Sequence, residues 1–159
     1  MNRILSVALG ATFLLATIAV TDADAQHEHM HNMEGSKDAR QAVEFPADLK
    51  EHTLLNMRDH LLTLQRIQEA LAGGSFDAAA EISESRLGLS SLELHGAHDV
   101  AKFMPQGMQD IGTGMHKAAS RFSLEAQNAS ATGDVKPALA ALSAVTAQCV
   151  ACHAAYRLK

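Results

Sequence analysis

The chain has 159 residues, with 13 Lys and Arg against 18 Asp and Glu, a formal net charge of −5 when the histidines are neutral. That balance argues against a nucleic-acid binder, which needs a concentrated basic surface, and the length fits one domain with a single core. Trp is absent and aromatics make up 4 %, while Ala, Leu and Met are plentiful, so helices packed through aliphatic side chains are expected, with room for something other than aromatic rings to fill the core.

The N-terminus reads as a secretory signal. Arg3 supplies the positive start, Ile4 to Val20 is almost wholly apolar, and Ala23-Asp24-Ala25 gives a small-x-small cleavage pattern. Ser6, Gly10, Thr12 and Thr17 interrupt the apolar run, which falls short of the ~20 strongly apolar residues of a spanning helix. Cleavage after Ala25 and export to the periplasm are therefore expected, giving a mature chain with 12 basic and 16 acidic side chains once Arg3, Asp22 and Asp24 are gone. No later segment reads as long and apolar enough to cross a bilayer.

Residues 26–44 are polar and without period, and read as a flexible leader. This stretch holds His27, His29, Met30, His31 and Met33. Imidazoles and thioethers suit copper, and imidazole also serves zinc and nickel, so metal handling is one expectation. A soluble spacer with incidental histidines is the favoured one, since no second ordered shell is visible.

From Phe45 onward the pattern is helical. Pro46 opens a first helix, whose missing N–H is harmless in a first turn, with Leu54, Met57, Leu61, Leu64, Ile67 and Leu71 as its apolar stripe. Gly73-Gly74 ends it. Phe76 to Leu87 follows, with Phe76, Ala80, Ser83 and Leu87 on one face. Residues 88–104 read as a partly buried connection around Leu89, Leu92 and Leu94, with a single helical turn. A third stripe runs through Met104, Met108, Ile111, Met115, Ala118, Phe122 and Ala126. Gly107, Gly112 and Gly114 weaken that helix by roughly 1 kcal/mol each relative to Ala, and would let a flat group or another helix come close. Gly133 is a stop, Asp134 an N-cap and Pro137 a first-turn residue. The last stripe is Leu139, Leu142, Val145, Cys149, Cys152 and Tyr156. No strand alternation appears. An all-α, antiparallel four-helix bundle over residues 45–159 is the expected fold.

The chemistry concentrates in Cys149-Val150-Ala151-Cys152-His153, which contains the only two cysteines. Residues three and four apart share a helix face, so both sulfurs and the imidazole project together. Cys-x-x-Cys-His is the attachment signature of a c-type haem: Cys149 and Cys152 form thioethers to the porphyrin vinyls and His153 binds iron. Export supplies the compartment where such haems are attached. A thioredoxin-type dithiol would sit near a βαβ unit with its first cysteine at a helix N-terminus, whereas this pair is near a helix end. A structural disulfide would leave His153 idle, and zinc would need further ligands at matching spacing.

A helical pattern with this motif near the C-terminus, followed by Tyr156-Arg157, resembles the class II c-type cytochromes, the cytochrome c′ family. The resemblance covers roughly residues 45–159, and its specific motif lies within residues 149–157. It implies that Arg157 contacts the proximal haem face, the alternative being a solvated terminal arginine. It also implies that the first helix presents one residue to the distal side of iron. Counting back from Phe76-Asp77, with one residue of slack in the Gly73-Gly74 loop, puts Met57 there, the pattern of the low-spin branch. High-spin members tend to carry an arginine one turn earlier, where this chain has Thr53. Arg58 is a candidate partner for the propionates, though a solvated arginine is the plainer reading. His60, one turn from Met57, competes weakly as a ligand, and His95, His98 and His116 read as scattered surface groups.

Single-electron transfer through one haem c, with redox proteins as partners, is therefore the expected function, because two protein ligands leave iron no vacant position. No nucleophile, base and orienting acid suggest an enzyme. The alternative is five-coordinate binding of a diatomic gas such as NO or CO. A bundle without its haem should hold a cavity bordered by Met57, Leu61, Met115, Cys149 and His153. Family members often pair through their first helices, so a homodimer is compatible with the resemblance, although no decisive patch marks it.

Overall fold

A computed structural model describes residues 38–159; the expected signal peptide and the His27–Met33 segment lie outside them. The described chain is mostly helical. In order it comprises β1 (Gln41–Val43), α1 (Ala47–Ala72), α2 (Phe76–Arg86), a 3₁₀ turn (Leu89–Ser91), α3 (Ala97–Ala101), α4 (Gln106–Thr132), α5 (Lys136–Ala155) and β2 (Tyr156–Leu158).

The punctuation falls where backbone chemistry requires it. Helices α1 and α4 start directly after Pro46 and Pro105, whose extended backbone and fixed φ suit a helix entrance. Gly74 and Gly133 adopt φ of 70° and 76°, a left-handed conformation open to glycine at no steric cost. Asp134 Oδ1 accepts from the Lys136 amide at 3.1 Å, covering one of the amide groups that a helix start leaves unpaired.

One half of the core is tightly filled. Ile67, Ala80, Phe122, Ala126, Ala138 and Val145 are almost wholly buried in a single apolar cluster drawn from α1, α2, α4 and α5. Ser83 Oγ donates to the Ala119 carbonyl at 3.0 Å and Ser123 Oγ to the Ala80 carbonyl at 2.9 Å. These bonds hold α2 against α4 in a region otherwise made of alanines, where the backbones come close. The stripes behave as expected at Ile67, Met108, Met115, Phe122, Ala126, Leu142 and Val145. They fail at Leu61 and Leu139, which are 71 % and 49 % exposed.

Three expectations need correction. The leader does not run to residue 44: β1 pairs in parallel with β2, with Gln41 opposite Tyr156 and Val43 opposite Leu158. Val43 and Phe45 are buried with Val100 and Met108, and Cys152, Tyr156 and Leu158 pack on that cluster. Second, the last helix ends at Ala155, so Tyr156 belongs to a strand. Strands of three residues are too short to show alternation, which is why the sequence pattern missed both. Third, Lys136–Ala155 is by length and composition apolar enough to cross a membrane. Its apolarity comes largely from alanine, and its Ala138, Leu142 and Val145 face is buried.

Candidate functional site

Between α1, α3, α4 and the end of α5 lies a cavity of about 380 Å³. Helix α5 contributes Cys149, Cys152 and His153, placed on one side by their spacing of three and four. Helix α1 contributes Met57, His60, Leu61 and Leu64, and α4 contributes Met108, Gly112, Met115 and His116. Met57, Leu61, Met115, Cys149 and His153, all expected to border a cavity, do so. Cys149, Cys152, His153 and Met57 are thus brought to one cavity by two helices separated by about ninety positions in sequence. Arg157 is not in its wall; it lies on β2 opposite Ala42.

The room is made by small residues. A Cβ at Gly112 would meet nothing within 4 Å, so α4 leaves open space where it borders the cavity. The neighbouring glycines act differently. A Cβ at Gly114 would come within 3.1 Å of Gln148 Oε1, and one at Gly107 within 2.5 Å of the Tyr156 hydroxyl oxygen. Gly107 and Gly114 therefore admit the C-terminal elements, and Gly112 keeps the void.

The two thiols are free and half-buried. Burial pushes the pKa of each upward, and for Cys152 the neighbouring Cys149 adds to the effect. Cys149 Sγ also lies 3.7 Å from the Val145 carbonyl, one turn back along the helix. Protonated thiols at the C-terminal end of a helix make a poor exchange dithiol, which works as thiolate. His153 and Leu61 both line the cavity and are exposed, and Leu61 presents apolar area that no protein atoms cover. Thr53 is buried, with its hydroxyl donating to the Leu49 carbonyl at 2.7 Å, and Arg58 is exposed. No arginine occupies the α1 wall.

The histidines are the main surprise. His98 is exposed, but His95 and His116 are 5 % and 7 % exposed and meet His60 at the cavity. His60 Nε2 stands 3.3 Å from His95 Nε2. The ring centroids are 4.6 Å apart for His60 and His95, 5.5 Å for His95 and His116, and 6.4 Å for His60 and His116. The segment carrying His95 is anchored to α1, because its carbonyl accepts from Asn56 Nδ2 and from His52 Nε2, both at 3.0 Å. Gly96 follows with φ of 59°, and a Cβ there would crowd His52 Nε2 at 3.1 Å. Burial, reinforced by the neighbouring histidines, pushes the pKa values of His60 and His95 down to about 4, so both are neutral near pH 7.

Sequence reasoning left His60 a weak competitor near Met57 and placed His95 and His116 on the surface, because the three come from separate elements. One signal was available. His116 lies three and seven positions before Ala119 and Ser123, a run of small buried residues on α4. Among the described residues, no group of three or more His, Cys, Asp or Glu side chains is arranged so that it could hold a metal ion. The chain matches no protein-family model, no curated protein and no solved structure.

Proposed function

We propose that the protein is a c-type cytochrome that holds one haem through Cys149 and Cys152 and exchanges single electrons with partner proteins. In this reading α1, α2, α4 and α5 form the antiparallel four-helix bundle of the class II c-type cytochromes. The short links 73–75 and 133–135 favour antiparallel neighbours. The observation that carries the reading is the convergence of Cys149, Cys152, His153 and Met57 on one largely apolar cavity.

The residues present fit the group. Two free thiols and an imidazole lie on one face, Gly112 opens space, and Leu61 offers apolar surface that a flat ring would cover. Haem, when bound, supplies a one-electron centre. His153 would be its proximal ligand and Met57 the distal one, a pairing that favours ferrous iron and a raised potential. Val100 and Met108, buried with Val43 and Phe45, close one side of the cavity against water, and the β1–β2 pair holds the chain just after His153. With His153 and Met57 both held by the iron, the haem would supply electron transfer rather than catalysis.

The test is Met57→Ala in the haem-loaded protein. The parent should be low-spin in the ferric state and bind carbon monoxide slowly. The variant should shift towards high-spin, bind carbon monoxide much faster and have a lower reduction potential, whereas Met108→Ala should do far less. A high-spin parent indifferent to Met57→Ala would sink the electron-transfer reading and put gas binding in its place.

A further inference from the structure

We propose that residues 39–45 form a strap that positions His153 from outside the cavity, with Arg40 as the positioning residue that caps the helix end carrying it. This rests on the haem reading, because the residue being positioned is the proposed proximal ligand. His153 lies in the last turn of α5, which ends at Ala155, where a helix leaves its carbonyls without amide partners. The Tyr156 amide donates to the Cys152 carbonyl. The His153 carbonyl would take the Arg157 amide if the helix went on, but Arg157 already belongs to β2. Arg40 Nη1 donates to it instead, at 3.4 Å across 113 positions of sequence. A guanidinium there also faces the negative end of the α5 dipole, where a cation is favoured.

The rest of the strap fixes Arg40 in place. Val43, Glu44 and Phe45 are buried, exposed and buried in turn, the two-residue period of an extended chain. Val43 and Phe45 are buried with Val100 and Met108, and Cys152, Tyr156 and Leu158 pack on the same cluster. One of the two thiols that would hold haem is thus packed on the cluster that anchors the strap. Parallel pairing sets Ala42 beside Arg157 and Val43 beside Leu158. The Lys159 amide extends the pairing by donating to the Val43 carbonyl at 3.0 Å. Lys159 Nζ meets Glu44 Oε1 at 2.7 Å, an exposed pair that adds little by itself.

His153 is therefore held from two directions, by α5 before it and by the strap just after it. Without the strap, the last turn of α5 would be the part of that helix most ready to fray, and the imidazole would loosen with it. Charge acts at the same place. Ferric haem carries one more positive charge than ferrous, so a cation fixed beside His153 disfavours the ferric form.

The test compares the haem-loaded full chain with its Arg40→Gln, Arg40→Lys and Val43→Ala forms. The readouts are the paramagnetically shifted haem-methyl resonances, which follow the orientation of the axial imidazole, the reduction potential, and hydrogen exchange at the Lys159 amide. Arg40→Gln should displace the methyl resonances, lower the potential and speed that exchange roughly 10-fold, the scale of one lost hydrogen bond. Arg40→Lys should restore most of each. Val43→Ala should displace the resonances and speed exchange with no charge removed. Arg121→Gln, which takes away an exposed α4 arginine paired with Glu125, should match the parent. Methyl resonances and Lys159 exchange that stay unchanged in both Arg40→Gln and Val43→Ala would overturn the proposal. So would a potential that falls in Arg40→Gln while the resonances stay fixed, since Arg40 would then act as a surface charge alone. A chain recovered without haem would fail the cytochrome reading by its mass, and Lys159 exchange in that chain would still show whether Arg40 holds the end of α5.

Discussion

The filled half of the core and the hollow half share α1, α4 and α5 but are built by opposite means. Around Phe122, alanines on α2, α4 and α5 let backbones approach until Ala79, Ala119, Ala126, Ala129 and Ala138 have no exposed surface. Around Gly112, α4 leaves open space towards α1 and the end of α5. The wall there mixes thioethers, imidazoles, thiols and an exposed Leu61. A native interior rarely holds voids larger than a water molecule, so a cavity of about 380 Å³ edged by ligating side chains reads as space kept for a guest. The filled half supplies stability, and the hollow half is where the proposed haem would sit.

That contrast predicts unequal responses to truncation. Phe122→Ala should cost about 3–5 kcal/mol whether or not the cavity is occupied, because it empties fully packed space. Urea unfolding measures it, and a loss below about 1 kcal/mol would mean that the core is looser than its burial implies. Ser83→Ala should cost about 1–2 kcal/mol, since it leaves the buried Ala119 carbonyl without its side-chain donor. Leu61→Ala should change the haem-free chain by about 0.5 kcal/mol at most, yet lower the melting temperature of the loaded protein. Equal effects in both forms would show that nothing covers Leu61 when the cavity is filled.

The hollow half should also carry an acid sensitivity. His60 and His95 titrate near 4 in the folded chain because burial opposes their charge, whereas unfolded histidines titrate near 6.5. Between those values the unfolded chain binds more protons, so stability falls as pH drops from about 6.5 towards 4 and is indifferent to these groups above that window. The urea midpoint of the metal-free and haem-free chain should fall over this range. His60→Gln should flatten the fall, and a midpoint that rises with acid would contradict the assigned burial. The effect should be smaller than that of Phe122→Ala.

The two halves were unequally legible in the sequence. Ile67, Phe122, Ala126 and Val145 declared themselves through spacing, because a helix that buries one face must repeat every three or four residues. That Cys149, Cys152 and His153 face one way was legible because residues three and four apart share a helix face, and all three line the cavity. Met57 needed the family resemblance as well as its stripe. His95 and His116 were not legible as a pair, since nothing local links a connection residue to a helix on the far side of the cavity. Leu61 and Leu139 broke the pattern from the other direction: periodicity shows that a residue can face inward, not that protein atoms will cover it. The β1–β2 pair was invisible because three residues are too few to alternate, although it holds the segment immediately after His153.

The central claim is that the hollow half holds a haem bonded through Cys149 and Cys152. Intact-mass spectrometry of the protein, exported from cells that carry c-type maturation machinery and extracted with acid-acetone, tests it most directly. The account predicts a single species heavier than the polypeptide by one haem, and a bare polypeptide from the Cys149→Ala, Cys152→Ala form. A wild-type chain recovered without added mass, and with two titratable thiols, would contradict it.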